Sequence, residues 1–118
     1  MVTTKYTLIE VKSSDKRIER EFIDLPKKIY KGNPSWVCPF DDSIRAVFDP
    51  AKNKLFAEGE AIRWVAHNAE GECVGRIAAF YDNSHAYGYE QPTGGCGFFE
   101  AIDDQALANT LFDAARDW

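Results

Sequence analysis

"EAIRWVAHNAEGECVGRIAAFYD", residues 60–82, decides the fold. Two runs rich in β-branched and aromatic residues, EAIRWVAH (60–67) and CVGRIAAFYD (73–82), flank the polar segment NAEGE with its one Gly. That pattern predicts a β-hairpin. Alternation puts Ile62, Trp64 and Ala66 on one side of the first arm, and Arg63, Val65 and His67 on the other. Further strands are expected on either side. KYTLIEVK (5–12) reads as an earlier strand, and CGFFEAI (96–102) as a fourth, reached through the polar loop 83–95. In that fourth strand Cys96, Phe98, Glu100 and Ile102 are expected to share a face, with Gly97, Phe99 and Ala101 opposite.

Helical spacing surrounds these strands. Ser13, Ser14 and Asp15 are cap-type residues. Ile18, Phe22, Leu25 and Ile29 then recur with helical period, which predicts an amphipathic helix over 15–30. Pro26 is expected to kink or end it, and Gly32-Asn33-Pro34 to stop it. Trp36, Val37 and Phe40 are expected to tuck the following extended segment onto the core. Asp41 and Asp42 open a short second helix whose Ile44, Val47 and Phe48 form one face, and Asp49-Pro50 ends it. The stretch DDQALANTLFDAARDW (103–118) is a third helix, with Leu107, Leu111, Ala114, Ala115 and Trp118 on its apolar stripe. The order β-α-α-β-β-β-α over residues 1–118 predicts one α/β domain (α+β, mixed sheet) with a substantially antiparallel sheet.

Charge narrows the partners. The net charge is −5, yet eight of the 14 basic residues lie in 5–31. There Glu19, Glu21 and Asp24 interrupt them, so the stretch reads as a solvated helix face and no nucleic acid is expected. Cys38, Cys73 and Cys96 are odd in number and widely spaced, which argues for free thiols and against a zinc knuckle; no metal is expected. MVTTKYTLIEVK lacks the apolar core of a signal peptide, and no run approaches the ~18 apolar residues of a membrane span. A cytoplasmic protein with no membrane contact is expected.

Four stretches in order, YKGNPSWVCPF (30–40), DPAKNKLFAEGEA (49–61), VGRIAAFYD (74–82) and GFFEAIDDQALANTLFDAARDW (97–118), resemble a bacterial branch of the GNAT superfamily of acyl-CoA N-acyltransferases. The resemblance covers nearly the whole chain from about Leu8. It implies the N-terminal portion of a GNAT-like fold, truncated after the helix that follows the fourth strand. It also implies acyl transfer from acetyl-CoA or another acyl-CoA to the amine of a small-molecule substrate. One departure is specific. GNAT enzymes hold the cofactor pyrophosphate with a glycine loop, Q/R-x-x-G-x-G/A, between the fourth strand and the next helix. Here no Gly follows Gly97. By position, the cofactor-binding candidates are Phe99, Ala101, Asp103, Asp104 and Gln105. Asp103 or Asp104 would cap the helix and fill the donors that a phosphate needs.

Acyl transfer to an amine needs a base and a group for the oxyanion. In many GNAT enzymes the base is a Glu on the fourth strand, the position of Glu100. The alternative is that Glu100 lies at the sheet's edge or pairs with Arg63 or Arg76. Tyr87 and Tyr89 are candidate general acids, His85 a candidate proton carrier. Cys96 has no evident His partner and reads as a plain thiol. An uncovered fourth strand and last helix would favour a homodimer or another partner. The competing expectation is therefore a non-catalytic interaction or assembly module.

Overall fold

Four strands lie side by side in chain order: β1 (Thr7–Glu10), β2 (Gly59–His67), β3 (Cys73–Asp82) and β4 (Gly95–Ala101). Helices α1 (Lys16–Ile29) and α2 (Asp41–Val47) and a 3-10 turn (Lys54–Ala57) fall between β1 and β2, and α3 (Gln105–Asp117) follows β4. The coordinates are a computed structural model that describes residues 6–57, 59–82 and 94–118. Among them every strand pairing is antiparallel, so the expected mixed sheet is corrected to an antiparallel one.

The central hairpin forms where the sequence places it. Asn68 closes it: its carbonyl accepts from Gly71 N, and its side-chain oxygen accepts from the Glu70 and Glu72 amides. Gly71 supplies the positive φ, 80°, that the turn requires. Alternation then sorts the sheet into two faces. Val65, Ala78 and Phe98 pack with Ile18, Phe22, Leu25, Ile44 and Phe48 of the α1–α2 layer. On the opposite face Ala66, Ile77, Phe99 and Ala101 pack with Leu107 and Leu111 of α3. Gly75 lies under α3; a Cβ there would stand 2.9 Å from a Leu111 methyl, so the small residue lets the helix approach.

Local rules account for the helix ends. Asp15 caps α1 through Ile18 N, and Asp104 caps α3 through Ala106 N and Leu107 N. On the outer side of α1, Arg20 and Lys27 bridge Asp24 and Asp41 in an exposed ion network.

Three sequence expectations fail for physical reasons. Pro26 does not end α1, which runs on to Ile29. A proline in that position lacks the N–H that would bond the carbonyl of Phe22. Arg76 supplies the missing donor, Nη1 donating to Phe22 O at 2.6 Å. Second, Val37 and Phe40 are exposed rather than tucked onto the core, and only Trp36 is anchored, stacked on Tyr30 at 5.4 Å. Third, β4 does not alternate throughout. Arg76 pairs with Glu100 and Ala78 with Gly97, so Phe98 and Phe99 together oppose Ile77 in a β-bulge. Phe98 takes φ 56° there. The extra residue keeps Phe98 and Glu100 on the α1 side and leaves Cys96 outside their row, exposed.

Candidate functional site

Arg76 is the centre from which the site is built. It stands on β3 with 6% of its surface exposed. Its Nη1 replaces the absent Pro26 amide, and its Nε donates at 2.9 Å to Phe98 O at the bulge. Each backbone irregularity leaves a carbonyl outside its ladder, and one guanidinium satisfies both. The plane also lies over the Phe22 ring, 4.7 Å from its centroid. Burial pushes the Arg76 pKa down, and the Glu100 carboxylate opposes that shift.

Glu100 faces Arg76 across the β3–β4 ladder. Its Oε1 accepts from the Tyr30 hydroxyl at 3.2 Å. Its Oε2 is buried and has no hydrogen-bond partner among the described residues. A carboxylate oxygen in that state lacks a donor that burial makes costly to forgo. Tyr30 ends α1, and the hydrogen bond to Glu100 is the main reason its hydroxyl holds its proton more firmly than usual. Trp36, stacked on Tyr30 with planes 20° apart, walls this corner.

Beyond Phe98, between α2, the 3-10 turn and the β2–β3 end of the sheet, lies an apolar cavity of about 250 Å³. Its walls include Val47, Phe48, Phe56, Ala61, Phe80 and Phe98. The charged residues on its lining, Glu60 and Asp82, are acidic, and no Lys or Arg lines it among the described residues. Glu60 accepts from the Tyr81 hydroxyl at 2.9 Å.

The second buried guanidinium has a different role. Arg63 meets Glu19 at 3.2 Å, both nearly sealed from solvent, and lies 4.4 Å from the Phe48 ring centroid. Burial pushes its pKa down and Glu19 pulls it back. Glu100 therefore faces Arg76, while Arg63 pairs with Glu19 through Nη2 and leaves its buried Nη1 without a hydrogen-bond partner among the described residues.

The cofactor-position residues lie elsewhere. Phe99 stacks on Phe112 at 4.5 Å and Ala101 packs against the α3 cluster, both on the opposite face from Glu100. Gln105 donates to Asn109, and Asp103 is exposed. Asp104 holds two α3 amides and accepts from the Tyr6 hydroxyl. This junction does not fit a pyrophosphate: a carboxylate already occupies amides that such an anion would use, and a second acid adjoins it. Tyr87, Tyr89 and His85 lie outside the described residues. Among the described residues no cluster of three His, Cys, Asp or Glu could hold a metal, and no helix is long and apolar enough to cross a membrane.

Sequence reasoning singled out the position of Glu100 but missed Arg76 as an organiser, the Tyr30 hydrogen bond to Glu100, and the cavity. One signal for Arg76 was present: a proline inside a helical pattern leaves a carbonyl that some donor must reach, and Arg76 is a lone cation in an apolar strand.

Comparison with known proteins adds two relatives. The chain is 33% identical over 103 residues to Protein YghO of Escherichia coli (strain K12), covering 84% of this chain and 25% of that protein. It is 34% identical over 104 residues to Bacterial ceramide synthase of Caulobacter vibrioides, covering 84% of this chain and 26% of that protein. No family model matches the chain, and no solved structure matches it. The chain thus spans about a quarter of the length of the curated relatives that it matches.

Proposed function

We propose that this chain carries the acceptor side of an amide-forming acyl transfer, with Glu100 as the base for a primary amine. The observation that carries the reading is the buried Glu100 Oε2, a carboxylate oxygen without a donor, held in place through Oε1 by Tyr30. An amine supplies the missing N–H. As its nitrogen attacks an activated acyl carbon, the C–N bond forms, the bond to the leaving group breaks, and the amine proton passes to Oε2. Two further points support the reading: the GNAT resemblance, and a relative whose name denotes synthesis of ceramide, which is chemically an amide. Because the Asp104 junction does not fit a pyrophosphate, the phosphates of an acyl-CoA donor are not assigned to this segment.

The test is amine-dependent cleavage of an acyl thioester by the wild-type chain and by Glu100→Gln. Loss of a general base should slow the reaction by about 10²–10⁴-fold. Equal rates in the two proteins would remove Glu100 from the chemistry.

A second reading has its own observation. Ile102, Phe112 and Trp118 are each more than two-fifths exposed along the β4–α3 side, and the outer edge of β4 is unpaired among the described residues. An exposed edge with apolar neighbours fits an assembly module, through a second copy or another partner. Absence of amine-dependent cleavage together with a dimer in sedimentation would favour it.

A further inference from the structure

We propose that the cavity beside Phe98 is a binding site for a small quaternary ammonium cation of the choline type. The inference goes beyond the acceptor reading and does not rest on it, because Glu100 does not line this cavity. Phe48, Phe56, Phe80 and Phe98 stand on its walls, together with the acidic residues Glu60 and Asp82. Its volume, about 250 Å³, lies just below the ~300 Å³ at which pockets for drug-sized ligands begin, the scale of a small head group. Two of the four rings are set by β4. Phe98 rides on the bulge at φ 56°, a conformation that a bulky residue keeps only where its surroundings hold it, and Arg76 Nε holds its carbonyl. Phe80 lies against the β4 glycines: a Cβ at Gly95 would stand 3.0 Å from its ring, and one at Gly97 3.5 Å. The missing side chains leave that ring its place in the wall.

Charge and hydrogen-bond supply select the ligand. An anion would meet Glu60 and Asp82 and no Lys or Arg on the lining among the described residues. The guanidiniums behind the wall do not tip this balance, since Arg63 pairs with Glu19 and Arg76 faces Glu100. A primary ammonium brings three N–H donors, each needing an acceptor. Glu60 already accepts from the Tyr81 hydroxyl, and Asp82 has a contact of its own. A trimethylammonium group has no N–H to satisfy. Its charge is spread over methyl groups, which aromatic faces attract. The molecule uses the same attraction next to the cavity, where the Arg63 guanidinium lies 4.4 Å from the Phe48 ring centroid.

A residue-resolved NMR titration with choline chloride and with 3,3-dimethylbutan-1-ol, its uncharged carbon isostere, tests the proposal. Choline should move the signals of Phe56, Ala61 and Phe80 and bind about 5–30-fold more tightly than the isostere, the factor that cation–π contacts contribute. Phe80→Leu keeps an apolar side chain at a position that is 43% exposed, so the fold persists. It should weaken choline about fivefold and leave the isostere unchanged. Glu60→Gln should weaken choline about twofold and also leave the isostere unchanged. Phosphocholine, which adds an anion to the same head group, should bind more weakly than choline. Equal affinities for choline and its isostere overturn the cation assignment. Phosphocholine binding more tightly than choline overturns the role given to Glu60 and Asp82. Shifts confined to residues outside the cavity, or none, overturn the site. None of these results bears on Glu100, whose role is read separately from amine-dependent cleavage.

Discussion

The two faces of the sheet are held by different means. Against α3, the contact is aliphatic and aromatic: Leu107 and Leu111 sit on Ala66, Ile77 and Gly75, with Phe99 on Phe112 beside them. Against α1 and α2, two guanidiniums and two carboxylates are embedded among aromatic rings. The first face needs only volume and exclusion of water. The second needs each polar atom matched, and an atom left unmatched there carries a free-energy cost. Arg63 meets Glu19 through Nη2 but leaves its buried Nη1 without a partner among the described residues; Arg76 holds two carbonyls; Glu100 is matched at one oxygen of two. Both buried side-chain atoms without a partner among the described residues, Arg63 Nη1 and Glu100 Oε2, lie on the α1 side.

Substitutions can break this contrast. The largest effect is expected from Glu19→Ala, which strands the Arg63 charge in the core and should cost about 3–5 kcal/mol in denaturant unfolding. A loss below about 1 kcal/mol would mean that Arg63 reaches water. On the other face, Leu111→Ala should cost about 3 kcal/mol through the cavity it leaves, with no change in salt dependence. Alkaline titration separates the faces again. Burial raises the Cys73 thiol from 9.0 to about 11, so the folded state keeps its proton where the unfolded state loses it. Stability should be complete below pH 9 and fall by about 1.4 kcal/mol per pH unit towards 11. Cys73→Ser should remove that part of the slope.

Arg76 and Pro26 give a sharper test. Arg76→Met orphans Phe22 O and Phe98 O and should destabilise by about 2 kcal/mol or more. Adding Pro26→Ala restores a helical amide for Phe22 O, so the double variant should recover about 1 kcal/mol. Strict additivity would deny that the two residues are linked. The smallest effect is expected at the α3 junction, where Asp104→Ala removes a cap worth about 1 kcal/mol.

How far the sequence foretold this depends on what each element rests on. The hairpin, α1 and α3 follow from local period and caps; of the stripe expected on α3, Leu107 and Leu111 are buried, whereas Trp118 lies past the helix end and is 45% exposed. Alternation also sorted β2 correctly, with Arg63 and Val65 opposite Trp64 and Ala66. It failed in β4, because the extra residue of a bulge leaves no mark on composition. Val37 and Phe40 were misread because hydrophobicity alone does not bring a segment onto the core. Glu100 was readable as a position, whereas its partner Tyr30 lies 70 residues away and joins it only through the packing of α1 across the sheet. Pro26 was read as a helix breaker because its compensating donor also comes from a distant strand.

The most direct test of the account is a residue-resolved NMR titration of the chain with a primary amine, butylamine, and, separately, with acetyl-CoA. The account predicts that the amine moves the signals of Tyr30, Phe98 and Glu100 on the α1 side, and that acetyl-CoA leaves the Ala106 and Leu107 amides, held by Asp104, unmoved. Amine-induced shifts confined to α3 and Phe99, or acetyl-CoA shifts at Ala106 and Leu107, would contradict it.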